Sequence, residues 1–319
     1  MDSFLIMFKN VVMFVLLALP GYILVKSKQL SAGHAGALSK VLMYVGMPFL
    51  IVSSTLKLSL NAELVKMMLL VAGIGIAFIL IMFFVSAPLT GKESDVKTRG
   101  MMRFCAVFAN NGFLGLPLAI AVFGAGAKAV TVLIILNIIT NILMYTLGIY
   151  LVSGDKEAMN LKKAFLSPVL IAFVVGILFN VLNVTDYVAE VATYSTHFSN
   201  IVTPISMTIL GMKMGEVQLL KLFTNWKTYY VSALKLLVFP IAIVGVLLCV
   251  RLFVSSVVDT DFIMGTFMAF AVPTAGLAST FADQCDGDSE SAVAFTLGTT
   301  ILSIITIPIL YWILGLILL

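Results

Sequence analysis

Apolar runs of about 20 residues recur along the whole chain, separated by short polar turns. A helix of that length crosses the hydrocarbon core of a bilayer, roughly 30 Å thick. Hydropathy and turn signals predict ten such helices, near 5–25, 35–56, 63–88, 101–123, 127–152, 164–183, 190–215, 226–253, 262–283 and 290–317. The connections are short and leave no room for a soluble domain. The class expected is an all-α membrane protein. The first run reads as a retained span, because little positive charge precedes it and no small-residue cleavage site follows cleanly.

Composition strengthens this reading. The 319 residues are 61% hydrophobic and 11% charged, where soluble domains sit near half and a quarter. Charge then orients the spans. Lys26, Lys28, Lys92, Lys97, Arg99, Arg103, Lys156, Lys162, Lys163, Lys213, Lys221 and Lys227 fall on one side. Lys57, Lys66, Lys128 and Arg251 fall on the other, beside Asp186, Glu190, Asp259 and Asp261. The positive-inside rule makes the first side cytoplasmic and puts both termini outside. The net charge of +4 is thereby a matter of topology, and no nucleic-acid partner is needed. Cys105, Cys249 and Cys285 lack metal spacing and read as core or loop thiols, with no metal site.

The halves echo each other. Pro48 has a counterpart in Pro204, Gly21 in Gly176, and AKAVTVLIILNIITNI (127–142) in ESAVAFTLGTTILSII (290–305). FANNGF then falls on FAVPTA (270–275), with Asn111 opposite Pro273. Two five-span halves, 1–152 and 153–319, have opposite orientations because five is odd. This is the inverted-repeat plan of secondary transporters, which hold cargo where matched helices are interrupted.

The fourth run carries such an interruption, Asn110 and Asn111 followed by Gly112, Gly115 and Pro117. The ninth is interrupted at Val272-Pro273-Thr274-Ala275-Gly276. Proline removes a backbone donor and glycine costs backbone entropy, so helix continuity fails at both places. Backbone freed at membrane depth is tolerated around a protein-lined or watery cavity. Half-helix N-termini present unpaired N–H groups and partial positive charge, a receptor for a carboxylate. Asn137, Asn141 and Thr140 on the fifth run, and Thr299, Thr300 and Ser303 on the tenth, are polar neighbours. They contact cargo, line its path, or join helices. The candidate substrate-binding set is Asn110, Asn111, Gly112, Pro117, Pro273, Thr274, Asn137, Asn141 and Thr300.

Other features carry less. Gly211 and Gly215 form a G-x-x-x-G suited to close helix packing. Lys40 and Lys235 snorkel or serve an anion path, and His34 and His197 look interfacial. GDSES (287–291) superficially resembles a serine-hydrolase motif but lies in an acidic turn without a strand–helix elbow. Enzyme motifs are otherwise absent, so the chain is not expected to be an enzyme. No mid-membrane aspartate pair argues for proton–sodium exchange.

FANNGFLGLPLAIAVFG (108–124) resembles the fourth-span signature of the auxin efflux carrier family, and DQCDGDSESAVAFTLGTTILSIITIPIL (283–310) resembles that family's last loop and final span. The resemblance covers essentially the whole chain. It implies ten transmembrane helices as two inverted five-helix repeats, with broken helices 4 and 9 crossing at the midplane. It implies a scaffold of helices 1, 2, 6 and 7, commonly the contact of a homodimer, and a mobile transport domain of helices 3–5 and 8–10. It also assigns Asn110 or Asn111, Pro117 and Pro273 to the crossover. The long cytoplasmic loop of many plant members is missing, which favours a prokaryotic carrier in the inner membrane. The expected function is secondary transport of a small organic anion, a mono- or dicarboxylate such as malate or malonate, through an elevator-like movement. No cofactor is expected, and coupling to Na+ or H+ stays open. The alternatives are a sodium-coupled symporter resembling bile acid carriers and a ligand-binding membrane sensor.

Overall fold

The computed structural model describes residues 2–58, 60–159, 162, 165–216, 224–254 and 258–318. Lys163 and Lys221, counted above among the loop charges, lie outside them. The described residues are helical apart from turns and one isolated β-bridge. The main helices are α1 (Asp2–Lys26), α2 (Ala35–Thr55), α3 (Ala62–Thr90), α4 (Val96–Val107), α5 (Asn111–Phe123), α6 (Lys128–Ser153) and α7 (Pro168–Val181). They continue as α8 (Glu190–Ser199), α9 (Val202–Glu216), α10 (Trp226–Arg251), α11 (Thr260–Ala271), α12 (Ala278–Gln284) and α13 (Ser289–Leu318). Six of these helices, α1, α2, α3, α6, α10 and α13, are long and apolar enough to cross a membrane, while α5, α7 and α11 are shorter apolar helices.

Local chemistry sets the boundaries. The Asn61 side chain accepts from Leu64 N–H and that of Asp95 from Thr98 N–H, starting α3 and α4. Asn225 and Asp259 do the same for α10 and α11. Such caps supply acceptors to first-turn amides that have none within the helix. Each pair, Asn61 with Asn225 and Asp95 with Asp259, is 164 positions apart, and the two helices capped by aspartate are each 12 residues long. The capping hydrogen bond from the Thr98 hydroxyl, helped by its amide, holds the Asp95 carboxyl below the usual carboxylate range. Because Asp95 caps α4, that helix begins before the predicted 101. Lys97, Arg99 and Arg103 are therefore helical rather than loop residues.

Prolines distort the helices they enter. Wide π turns at Leu42–Gly46, Asn111–Gly115 and Leu234–Val238 each run up to a proline two positions on, Pro48, Pro117 and Pro240. Widening the turn accommodates the missing donor and the ring's clash with the preceding turn. At Pro204 the helix breaks instead, so the run predicted over 190–215 arrives as α8 and α9.

α1 lies along α9, where Gly211 faces the backbone of Ala18; a Cβ there would sit 1.8 Å from that carbonyl oxygen. The G-x-x-x-G thus serves close packing. α7 and α8 pack on the second half of α2, with Asn180 Nδ2 donating to the carbonyls of Thr55 (2.9 Å) and Leu58 (2.8 Å). α6 is enclosed by α3 and α11, and α13 receives α4, α10 and α12. Lys235 is buried in α10, 1% exposed, and does not snorkel. His34 and His197 are exposed.

Candidate functional site

Two breaks cross deep in this bundle. After α4, Phe108 adopts extended backbone (φ −90°, ψ 128°), and after α11, Val272 does the same (φ −72°, ψ 155°). Both are fully buried. The stretches pair antiparallel at Ala109 and Thr274. Asn110 N–H donates to Pro273 O at 2.8 Å, and Ala275 N–H donates to Phe108 O at 3.0 Å. Each break therefore satisfies backbone groups of the other, which explains how interrupted helices persist away from water. Thr274 stands opposite Ala109, and the capped helices leading in are 164 positions apart.

The two sides of the crossing differ. α5 starts at once, at Asn111, so the amides of Asn111, Gly112 and Phe113 have no helical acceptor, while those of Leu114 and Gly115 donate to Asn110 O. On the other side Ala275 to Leu277 turn before α12 begins at Ala278. One helix N-terminus meets the crossing directly, not two.

Asn110, Asn111, Gly112, Asn137 and Asn141 meet around a recess of about 50 Å³. Asn111 Nδ2 donates to Thr140 Oγ1 at 3.1 Å, and Asn141 Nδ2 donates to Asn137 O at 2.8 Å and Oδ1 at 3.0 Å. Asn111 Oδ1 and Asn137 Nδ2 are buried without a partner among the described residues. Buried polar atoms are rarely left so, and an unmet donor and acceptor beside one recess mark a seat for a polar group. The side chain of Asn110 is half-buried and makes no hydrogen bond among the described residues.

Asn110 and Thr300 also line a much larger cavity of about 850 Å³. Among the described residues its wall includes Lys40, Lys162 and Lys213 against one carboxylate, Asp283, so its field favours anions. The sequence reading missed Lys213, taking it for a loop charge; it lies in α9 and its Nζ donates to Gly276 O at 3.3 Å. Pro117, Pro273 and Thr274 line neither space. Pro273 supplies the crossing carbonyl. Thr274 is spent on structure: its hydroxyl donates to Cys105 O at 2.7 Å and its N–H to Thr299 Oγ1 at 3.2 Å.

The GDSES stretch is a helix start. Asp288 Oδ1 accepts from Ser291 N–H at 2.9 Å, and Ser289 bonds Asp283. Among the described residues no group of three or more His, Cys, Asp or Glu is placed to hold a metal ion.

A sequence model of a membrane transport protein family matches the chain twice, over residues 6–161 and 156–311. The chain is also similar to an uncharacterized transporter of Methanothermobacter thermautotrophicus, 27% identical over 307 residues that make up 94% of this chain and 96% of the relative.

Proposed function

The chain belongs to the membrane transport protein family, that of the auxin efflux carriers, and on that premise we propose that this secondary transporter carries a small organic anion, a mono- or dicarboxylate such as malate or malonate. The observation that carries the reading is the bridged crossing, where the α5 N-terminus and the unsatisfied asparagine amides face one recess. Size apportions the binding. A recess of about 50 Å³ has room for a small polar group such as a carboxylate. The adjoining cavity of about 850 Å³ accepts the rest of the anion. Asn110, the unmet Asn137 Nδ2 and the second N–H of Asn111 Nδ2 donate to the carboxylate, Gly112 brings backbone close to it, and Asn141 fixes the Asn137 amide. Pro117, Pro273 and Thr274 hold the crossing open.

We read ten crossings as two inverted five-helix repeats, with α4/α5 and α11/α12 as the broken fourth and ninth spans. In this reading α1, α2 and α7–α9 form the scaffold and dimer face, and α3–α6 with α10–α13 form the moving body. The large cavity opens among the loops richest in lysine and arginine, so the positive-inside rule makes the arrangement inward-open in a prokaryotic inner membrane, with both termini outside. Access alternates as the moving body slides against the scaffold.

Uptake of labelled malate into proteoliposomes tests this. Asn111→Ala should abolish or severely reduce uptake while the protein remains monodisperse, and wild-type rates in an Asn110→Ala/Asn111→Ala double variant would sink the assignment. The unpaired Asn111 Oδ1, an oxygen acceptor, favours one second reading, a sodium-coupled symporter. Strict dependence of uptake on a Na+ gradient would select it.

A further inference from the structure

We propose that Lys213 is the fixed cation of the cargo site, giving up its bond to the ninth-span break when an anionic carboxylate arrives; this rests on the organic-anion reading above. The side chain reaches from α9 to Gly276, where Nζ donates to the carbonyl at 3.3 Å. A Cβ built on the same glycine would lie 3.8 Å from Asn110 Nδ2. The lysine ammonium and the asparagine amide thus flank one glycine on the wall of the large cavity. One carboxylate placed beside Gly276 meets both.

The present partner is a poor one. Charge-assisted N–H···O bonds to carboxylates run at roughly 2.7–2.9 Å, and this contact is longer and goes to a neutral oxygen. Among the described residues Lys213 makes no ion pair. Asp283 shares the cavity and its charge acts on Lys213 through space, but no Asp283 oxygen lies within ion-pair reach of Nζ. Among the described residues the remaining charged groups on the wall, Lys40 and Lys162, are cations. Lys213 is part-buried on the cavity wall with no counter-ion in contact, where an ion pair is worth more than at an open surface. An anionic cargo supplies that counter-ion.

The exchange also ties occupancy to movement. Lys213 stands on α9, packed along α1, whereas Gly276 follows α11. The bond links the two groups of helices, and cargo that takes the ammonium removes the link.

The test is saturation of labelled malate uptake by the full-length protein in proteoliposomes. Lys213→Gln and Lys213→Met should each raise the half-saturating concentration by about tenfold to a hundredfold, the worth of a charge-assisted hydrogen bond. Lys213→Arg should restore most of the affinity. Unchanged half-saturation in both neutral variants, or an arginine variant as weak as glutamine, overturns the role of Lys213. If that happens while wild type transports malate and Asn111→Ala does not, only the lysine assignment falls. If wild type moves none of malate, malonate and lactate, the organic-anion reading falls and takes the lysine with it. A second measurement needs no neutral variant. Malate should raise the Tm of wild type and Lys213→Arg, and its uncharged diamide should not; equal shifts overturn the proposal.

Discussion

At the scale of single residues, the crossing separates groups that hold the fold from groups left over for a ligand. Thr274 and Asn111 are both almost completely buried, and hydropathy alone marks both as misplaced polar residues. Their bonds distinguish them. Both donors of Thr274 are satisfied within the protein, whereas Asn111 keeps a free acceptor beside a recess. Thr274→Val should therefore act on stability, leaving the Cys105 carbonyl without its donor at a cost of about 1–3 kcal/mol. Asn111→Ala should act on transport. Thermal unfolding and malate uptake measured on both variants check the division, and a Thr274→Val protein with wild-type Tm and no uptake would reverse the roles. The sequence announces Asn110, Asn111, Gly112 and Pro117 because each is unfavourable in a membrane helix. It hides Lys213 because a lysine near the end of an apolar run resembles an ordinary loop charge, and only the course of α9 brings it to Gly276.

At the scale of elements, the apolar runs locate the helices well because length and hydropathy alone make a span. What periodicity does not reveal is where a run is cut. Pro204 breaks its run and Pro48 only widens a turn, since neighbouring packing decides how a missing donor is absorbed. The register of the repeat was legible in another signal. Asn61 and Asn225, and Asp95 and Asp259, cap helices in the two halves at one constant spacing of 164 positions. Helix packing yields its own prediction at Gly211. A side chain there collides with the backbone of Ala18, and backbone cannot rotate away as a flexible side chain does. Gly211→Val should lower stability by about 3 kcal/mol or more. Gly245→Val, where a Cβ meets nothing within 4 Å, should leave Tm nearly unchanged. Equal Tm values for the two variants would show that the α1–α9 contact carries no constraint.

For the whole molecule, the decisive property is which helices move together. Lys128 pairs with Asp259 at 2.5 Å, joining α6 to the start of α11, both in the proposed moving body. Leu114 of α5 and Met207 of α9 instead line a common apolar crevice of about 240 Å³, one from each group. That crevice has almost no polar lining, so the groups meet there through dispersion and lipid-like surface. Such a contact can slide without leaving buried polar atoms unpaired. Movement of one body against the other predicts opposite effects of two cross-links. In a background without Cys105, Cys249 and Cys285, a flexible bismaleimide joining cysteines at Lys128 and Asp259 should leave malate exchange close to the uncross-linked rate. The same reagent joining cysteines at Leu114 and Met207 should arrest exchange in proportion to the fraction cross-linked. Exchange that survives complete cross-linking of the second pair would mean that cargo passes without relative movement of α5 and α9, and the sliding mechanism would have to be abandoned.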